Sequence, residues 1–437
     1  LDAIEQVQVN IAPYDVRQGN FVGAGINAVT KRGTNEISGS AYYNWRHAGL
    51  VGTKAKESDV PVGKFNYDLI GARLGGPIIR DKLFFFVSFE DDKTVSPGTT
   101  FRANLGGETA TGNVTRVLAT DLDALSGFLQ SKFNYATGAY QGYDFANPST
   151  RFLAKLDFNL NDKNKISLRY TQLDSKTDVL MSTSSSLGFG GRRSNNNALN
   201  FANSNYAILE NIRSIIGEWN SVISDNMSNN LIVGYTSNDE SRESKGTFFP
   251  MVDILSGGSA YTSFGFEPFT PNNELRYSSY QFLDNFSIYG RDHNLTFGVS
   301  AEIYKSENVF FPGSQSVYVY NSLADFYTDA NDYLANPNRT ASPITLNTFQ
   351  VRWNNIPGQV KPVQPLEVFF AGVYAQDEWQ FNKDLKFTLG LRVDIPFFGE
   401  TGFENALADA LTFRDETGNP VQYSTKKLPD PKILWSP

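Results

Sequence analysis

The chain of 437 residues carries 38 Lys+Arg against 46 Asp+Glu, two His and no Cys. The lack of Cys excludes a disulfide scaffold and any thiolate zinc site, and a formal charge of −8 with no concentrated basic stretch argues against a nucleic-acid partner. Aromatic residues make up 14%, which suits a large β-core or a membrane-interface belt. No apolar run approaches the roughly 18 residues of a transmembrane helix, so a membrane location requires a barrel.

In chain order, the opening Leu1–Asp2–Ala3–Ile4 lacks the basic start and apolar run of a secretory leader. Ile4–Gln8 is a predicted strand, and a glycine-punctuated turn from Gly19 through Gly23 and Gly25 leads into a second strand that includes Asn27 and ends near Lys31. This stretch does not follow a period-two pattern, because Ile11–Ala12–Pro13 and the glycines interrupt it. Asn10, Asp15, Arg17, Gln18, Asn20 and Asn27 spread polarity that hydrocarbon would not accept but a polar lumen would. Lys31–Arg32–Gly33–Thr34–Asn35 is a charged junction, and alternation begins at Ile37.

From there about eleven strands are predicted, near 36–47, 64–76, 82–93, 150–160, 165–176, 205–223, 229–238, 278–289, 293–305, 366–381 and 385–395. In the clearest, Leu385, Phe387, Leu389, Leu391, Val393 and Ile395 share one face, and Lys386, Thr388, Gly390, Arg392 and Asp394 the other. Leu295–Tyr304 repeats this, with Phe297 and Val299 opposed to Ser300 and Glu302. Arg169 and Lys155 lie on the polar faces of two earlier strands. Alternation alone also fits a half-buried sheet of a soluble protein. Connection lengths decide between the two. Short polar turns at 161–164, 225–228, 291–293 and 382–384 alternate with long connections around 97–149, 177–203, 239–277, 306–365 and 396–432. Tight turns at one end and long loops at the other mark an outer-membrane barrel, whereas a compact soluble domain seldom carries five such loops. On that reading Arg392, Asp394, Glu302, Arg169 and Lys155 face the lumen, and Leu389, Leu391, Phe297 and Val299 face lipid.

Two loops contain predicted helices, one capped by Thr120 and carrying Leu122, Leu125 and Leu129, the other capped by Ser322 and carrying Leu323, Phe326, Tyr327 and Leu334. They are expected to pack the loops onto the barrel rim, with a ligand vestibule or lid as the alternative. Bacterial single-chain barrels close with an even number of strands, and Ile433–Leu434–Trp435 starts a further one. The chain is therefore expected to be a fragment whose sheet does not close, with edges at Ser38–Trp45 and Phe387–Val393.

Several motifs resemble TonB-dependent outer-membrane transporters. Ile4–Glu5–Gln6–Val7, the turn at Gly19–Gly23 and the run from Gly23 to Lys31 resemble the end of that family's plug domain. Gly75–Gly76–Pro77–Ile78 followed by Asp81–Lys82–Leu83–Phe84–Phe85–Phe86 looks like a hairpin of its Oar-like branch. Tyr374–Ala375–Gln376–Asp377–Glu378–Trp379 followed by Leu389–Gly390–Leu391–Arg392 is similar to a mid-barrel strand pair. The segment Ala12–Pro13–Tyr14–Asp15–Val16–Arg17–Gln18–Gly19 departs from the family's usual plug turn, so siderophore-specific details do not transfer. The resemblance implies an all-β fold: a transmembrane antiparallel β-barrel, partial, about 11 strands of an expected 22, with the C-terminal part of a plug domain. Residues 1–35 would be the end of the plug, with Gly19, Gly23, Gly25, Asn27 and Lys31 as its marker residues, and 36–437 the N-terminal half of the barrel. It further implies an outer-membrane location and uptake of a glycan, peptide or chelate by plug rearrangement. The implied partners are outer-membrane lipid, the TonB complex through sequence upstream of residue 1, an unidentified extracellular ligand and a candidate surface lipoprotein.

The residues offer no enzyme signature and no cofactor or metal site. His47 and His293 are far apart. Gly188–Phe189–Gly190–Gly191–Arg192–Arg193 lies in a Ser/Asn-rich loop without a strand–helix context. Asp325, Asp329, Asn331 and Asp332 lack the order of a calcium loop. The rival readings are a surface barrel whose loops serve adhesion or scaffold partner proteins, a porin, which residues 1–35 argue against, and last an enzyme barrel.

Overall fold

The computed structural model describes residues 2–11, 14–19, 24–56, 58–59 and 63–436; the predicted turn residues Asn20, Phe21, Val22 and Gly23, with Ala12 and Pro13, lie outside them. Strands β1 (Ile4–Ile11) and β2 (Ala24–Thr30) pair antiparallel with each other and, among the described residues, with no other strand, Val7 opposite Ala28 and Asn10 opposite Gly25. The wall follows as β3 (Ser38–His47), β4 (Asn66–Ile79), β5 (Leu83–Pro97), β6 (Asp144–Asn161), β7 (Asn164–Val179), β8 (Tyr206–Ser224), β9 (Met227–Asp239), β10 (Asn273–Tyr289), β11 (His293–Phe310), β12 (Val363–Asn382) and β13 (Leu385–Phe398). Each pairs antiparallel with its sequence neighbour, and the short segments Arg242–Ser244 and Leu434–Ser436 complete a 13-stranded sheet. Leu434–Ser436, here β14, pairs with β13 at Arg392–Asp394. The edge there is therefore partly covered, and the far edge is β3, as expected.

All eleven predicted wall strands are present, but most run further toward the loop end than predicted. β6 begins at Asp144 rather than 150, β7 ends at Val179 and β11 at Phe310. A strand needs only about 9–11 residues to cross a membrane. Beyond the apolar band the ladder continues to satisfy the backbone while both faces turn polar, so the period-two signal disappears before the strand does.

Register aligns like with like. Tyr170, Ile215, Tyr235, Tyr280, Ile303, Phe369 and Phe397 form one continuous row across seven strands. On the opposite face Asn159, Lys165, Asn220, Asn230, Asn285, Gly298, Tyr374 and Arg392 form another. A slip of one residue would exchange these two rows, so the pattern fixes the register.

The long loops are folded. The four connections between β5 and β12 (residues 98–143, 180–205, 240–272 and 311–362) converge on a shared hydrophobic core, with a smaller apolar cluster of Met181, Leu187, Met251 and Val317 beside it. Leu122, Leu125 and Leu129 of α1 (Ala119–Phe133), Leu199 and Phe201, Ile254 and Phe264, and Phe326 of α2 (Leu323–Ala335) meet there. A four-stranded sheet of Ser259–Phe264, Met251–Ser256, Val317–Tyr320 and Thr348–Gln350 lies within this cap. The Ser322 hydroxyl caps α2 by accepting the Asp325 N–H at 3.1 Å. Thr120 does not cap α1, which starts two residues earlier than that cap implies, with Leu118 at the cap position and no side-chain bond. Nor is Leu334 part of the core, being on the exposed side of α2. The helices pack on each other, with Phe128 edge-on to Tyr327 at 5.0 Å between ring centres, so they are the centre of a cap.

Candidate functional site

The inner face of the wall is the one that residues 2–31 touch. Two contacts define the junction. At the first, Asp2 accepts from Lys31 Nζ at 2.8 Å, from Arg73 Nε on β4 at 2.5 Å and from the Ser40 hydroxyl on β3. The Lys31 and Ser40 donors, with Arg73, outweigh burial and hold the Asp2 carboxyl far below the usual carboxylate range.

At the second, the segment Tyr14–Gly19 meets β11, β12 and β13. Arg392 Nη1 donates to the Val16 carbonyl at 2.9 Å, and the Val16 N–H donates to Gln376 Oε1 at 3.2 Å. Arg392 is itself held on three sides. Its Nε and Nη2 bond Asp394 at 2.7–3.0 Å, Nη2 donates to Ser300 Oγ at 2.8 Å, and the guanidinium lies 4.9 Å from the Tyr374 ring centre. Two glycines make room for this approach. A Cβ on Gly19 would come within 2.5–2.7 Å of the pinned guanidinium, and one on Gly390 would collide with Val16. From Arg392 the polar contacts continue along the inner row: the Tyr374 hydroxyl donates to Asn285 Oδ1 at 2.7 Å, Asn285 to Asn230 Oδ1 at 3.4 Å, and Asn230 to Glu218 at 2.8 Å.

Of the residues singled out in the sequence, Gly19, Arg392 and Asp394 come together here. Glu302 borders the same cavity as Arg17, Gly19 and Arg392 and accepts from the Ser279 hydroxyl. Lys31 belongs to the Asp2 contact, while Gly25 and Asn27 sit in the β1–β2 ladder opposite Asn10 and Gln8. Lys155 and Arg169 face each other across β6 and β7, with Lys155 paired to Asp157 at 3.4 Å, away from the junction. Arg17 is paired with Asp15 of its own turn at 2.7 Å. Ser300, placed on the polar face of its strand by alternation, joins the contact. Sequence reasoning missed Asp2, Arg73, Tyr374 and Gln376 as junction residues; the signal available for the last two was their position on the polar face of an alternating strand.

In the cap, the acids considered as calcium ligands have other partners. Asp329 and Asp332 both bond Arg339, at 2.6 and 2.7 Å, and Asp329 also accepts from the Tyr320 and Ser342 hydroxyls. Burial alone would push the Asp329 carboxyl up, but the Ser342, Tyr320 and Arg339 donors hold it below the usual carboxylate range. A folded pKa below the unfolded value of about 3.9 contributes stability above that pH, and the contribution is lost as pH falls through the folded value. The cap should therefore become sensitive to protease below about pH 4, and Asp329→Asn should flatten that part of the profile.

An open antiparallel sheet with an apolar outer face, a polar inner face and a junction segment against the inner face defines the wall of an outer-membrane β-barrel. The chain belongs to the family of the outer membrane beta barrel domain, whose model matches residues 29–426. It is similar to the TonB-dependent transporter Oar of Myxococcus xanthus, 38% identical over 95 residues, 20% of this chain and 9% of that protein. Among solved structures it resembles the outer-membrane transporter YddB of Escherichia coli (TM-score 0.55, 11% identity, 91% of this chain and 45% of that one). It also resembles the ferric yersiniabactin uptake receptor FyuA of Yersinia pestis (TM-score 0.51, 10% identity, 100% and 49%). These two likenesses show the fold, an outer-membrane β-barrel wall, and the chain spans under half the length of each of these structures.

Proposed function

We propose that this chain is part of a TonB-dependent receptor that takes up an extracellular ligand by rearranging a plug, of which residues 1–35 are the last portion and 36–437 the first half of the wall. The observation that carries the reading is the Val16–Arg392 contact, which ties the segment before Gly19 to the lumen side of β13. A passive pore has no need of such a tie, and a plug that must move needs one that can be broken. A glycan, a peptide and a chelate all suit the reading, and TonB would act through sequence upstream of residue 1.

These 437 residues have no Cys, so a direct test is open once any cysteine outside them is replaced by serine. In the full-length receptor, Val16→Cys should react with an external maleimide faster in cells with TonB than in cells without it. Equal rates would refute plug rearrangement. Arg392→Met should raise labelling in resting cells roughly tenfold or more, since a charge-assisted hydrogen bond contributes about 1.5–3 kcal/mol.

The folded cap favours a second reading, an adhesive or scaffolding surface barrel, because a preformed outer domain suits a protein partner. That reading expects TonB-independent labelling at Val16.

A further inference from the structure

On β10 the outward residues read Arg276, Ser278, Tyr280, Phe282, Asp284, Phe286 and Ile288. Asp284 thus lies in the middle of the apolar run from Tyr280 to Ile288, roughly 13 Å along the strand from either end. Its register neighbours are Leu231 on β9 and Val299 on β11. The inner row confirms the direction: Asn285, one residue on, bonds Tyr374 on the lumen side. A carboxylate on the lipid side of a barrel at this depth is costly, and such residues mark functional contacts.

Asp284 has one partner among the described residues. Asn229 Nδ2 donates to its Oδ1 at 2.6 Å. Its second oxygen, the second Asn229 amide hydrogen and the Asn229 amide oxygen take no bond from the described residues, and acyl chains provide none.

We infer that this outward patch of β9 and β10 is the contact between two copies of the protein in the membrane. Two copies of a membrane protein share one orientation, so a two-fold axis between them runs along the membrane normal and brings together groups at equal depth. The Asn229 amide and Asp284 carboxylate are one hydrogen bond apart and so lie at one depth. The patch carries a donor and an acceptor side by side, and is therefore complementary to itself. The amide of each copy reaches the free carboxylate oxygen of the other, with two amides placed between two carboxylates. A partner presenting only a basic side chain would leave the amide unused. Ala301 and Ala371, adjacent in register on β11 and β12, keep the neighbouring outward surface low enough for close approach.

These 437 residues have no Cys, so the full-length protein, with any cysteine outside them replaced by serine and with the single substitution Leu231→Cys, can be oxidised in native outer membranes and examined by non-reducing electrophoresis. An adduct of twice the monomer mass is expected from Leu231→Cys, and none from Leu168→Cys, which is outward-facing on β7. In the Leu231→Cys background Asp284→Asn should keep the adduct and Asp284→Leu should lose it, with heat-modifiable mobility retained in both. The contact is overturned if Leu231→Cys gives no adduct, one of a different mass, as much as Leu168→Cys, or one that Asp284→Leu leaves undiminished.

Discussion

Truncating Arg192 to alanine is expected to destabilise the loop cap by about 3–5 kcal/mol while leaving the barrel wall folded. Arg192 and Asp253 are 0% and 1% exposed, and the guanidinium nitrogens and both carboxylate oxygens are all hydrogen-bonded. The guanidinium meets Asp253 at 3.1 Å and donates to the Ser182 and Leu187 carbonyls. Asp253 also accepts the Phe189 N–H and the Ser263 hydroxyl, each at 2.7 Å. The pair joins the connection after β7 to the cap sheet. Without the arginine a buried carboxylate remains uncompensated, and the Ser182, Ser184 and Leu187 carbonyls lose their donor. Amide exchange over residues 180–205 and 251–264 should accelerate accordingly, and detergent-resistant mobility should not change. The double variant Arg192→Met with Asp253→Leu should recover most of the loss, because no buried charge is then left alone. Unchanged exchange in Arg192→Ala would mean that the cap is held by its apolar core and not by this pair.

Arg192 illustrates where sequence reasoning stopped. It stood in a glycine-rich, Ser/Asn-rich run that reads as loop, and nothing local reports that Asp253, sixty-one residues later, lies against it. The wall strands were legible because lipid and lumen impose opposite demands on successive residues, so Leu389, Leu391 and Arg392 declare their faces at short range. The cap is stabilised by contacts between four separate loops, such as Leu199 and Phe201 against Phe264 and Phe326, and short strands such as Val317–Tyr320 are too brief to show a period. The lumen junction fell between these cases. Arg392 was on the polar face by alternation, but its partner Val16 is 376 residues away, and only Gly19 and Gly390 hinted that two backbones approach each other there. Arg17 in the same segment is satisfied two residues away by Asp15, since a local ion pair closes at less entropic cost than a distant one.

The second large effect concerns the membrane face. Leu391→Arg should cost on the order of 2–4 kcal/mol in unfolding experiments on the full-length protein in lipid vesicles. Leu391 is the middle of the outward series Leu385, Phe387, Leu389, Leu391, Val393, Ile395 and Phe397 on β13, and register places it in one row with Ala375, Phe297 and Phe286. Leu389 and Leu391 are 60% and 51% exposed on that face, whereas Arg392 between the rows is 7% exposed against the lumen junction. An arginine at Leu391 has no acid in its row and is too far from either interface to reach water without distorting the bilayer. Thr388→Arg is the matched control. It adds the same side chain to the same strand on the inner face, directly opposite Glu378, and should stay within about 0.5 kcal/mol of the parent. If the two variants cost the same, the alternation does not separate lipid from lumen, and the inner row from Asn159 to Arg392 loses its meaning as a lumen surface.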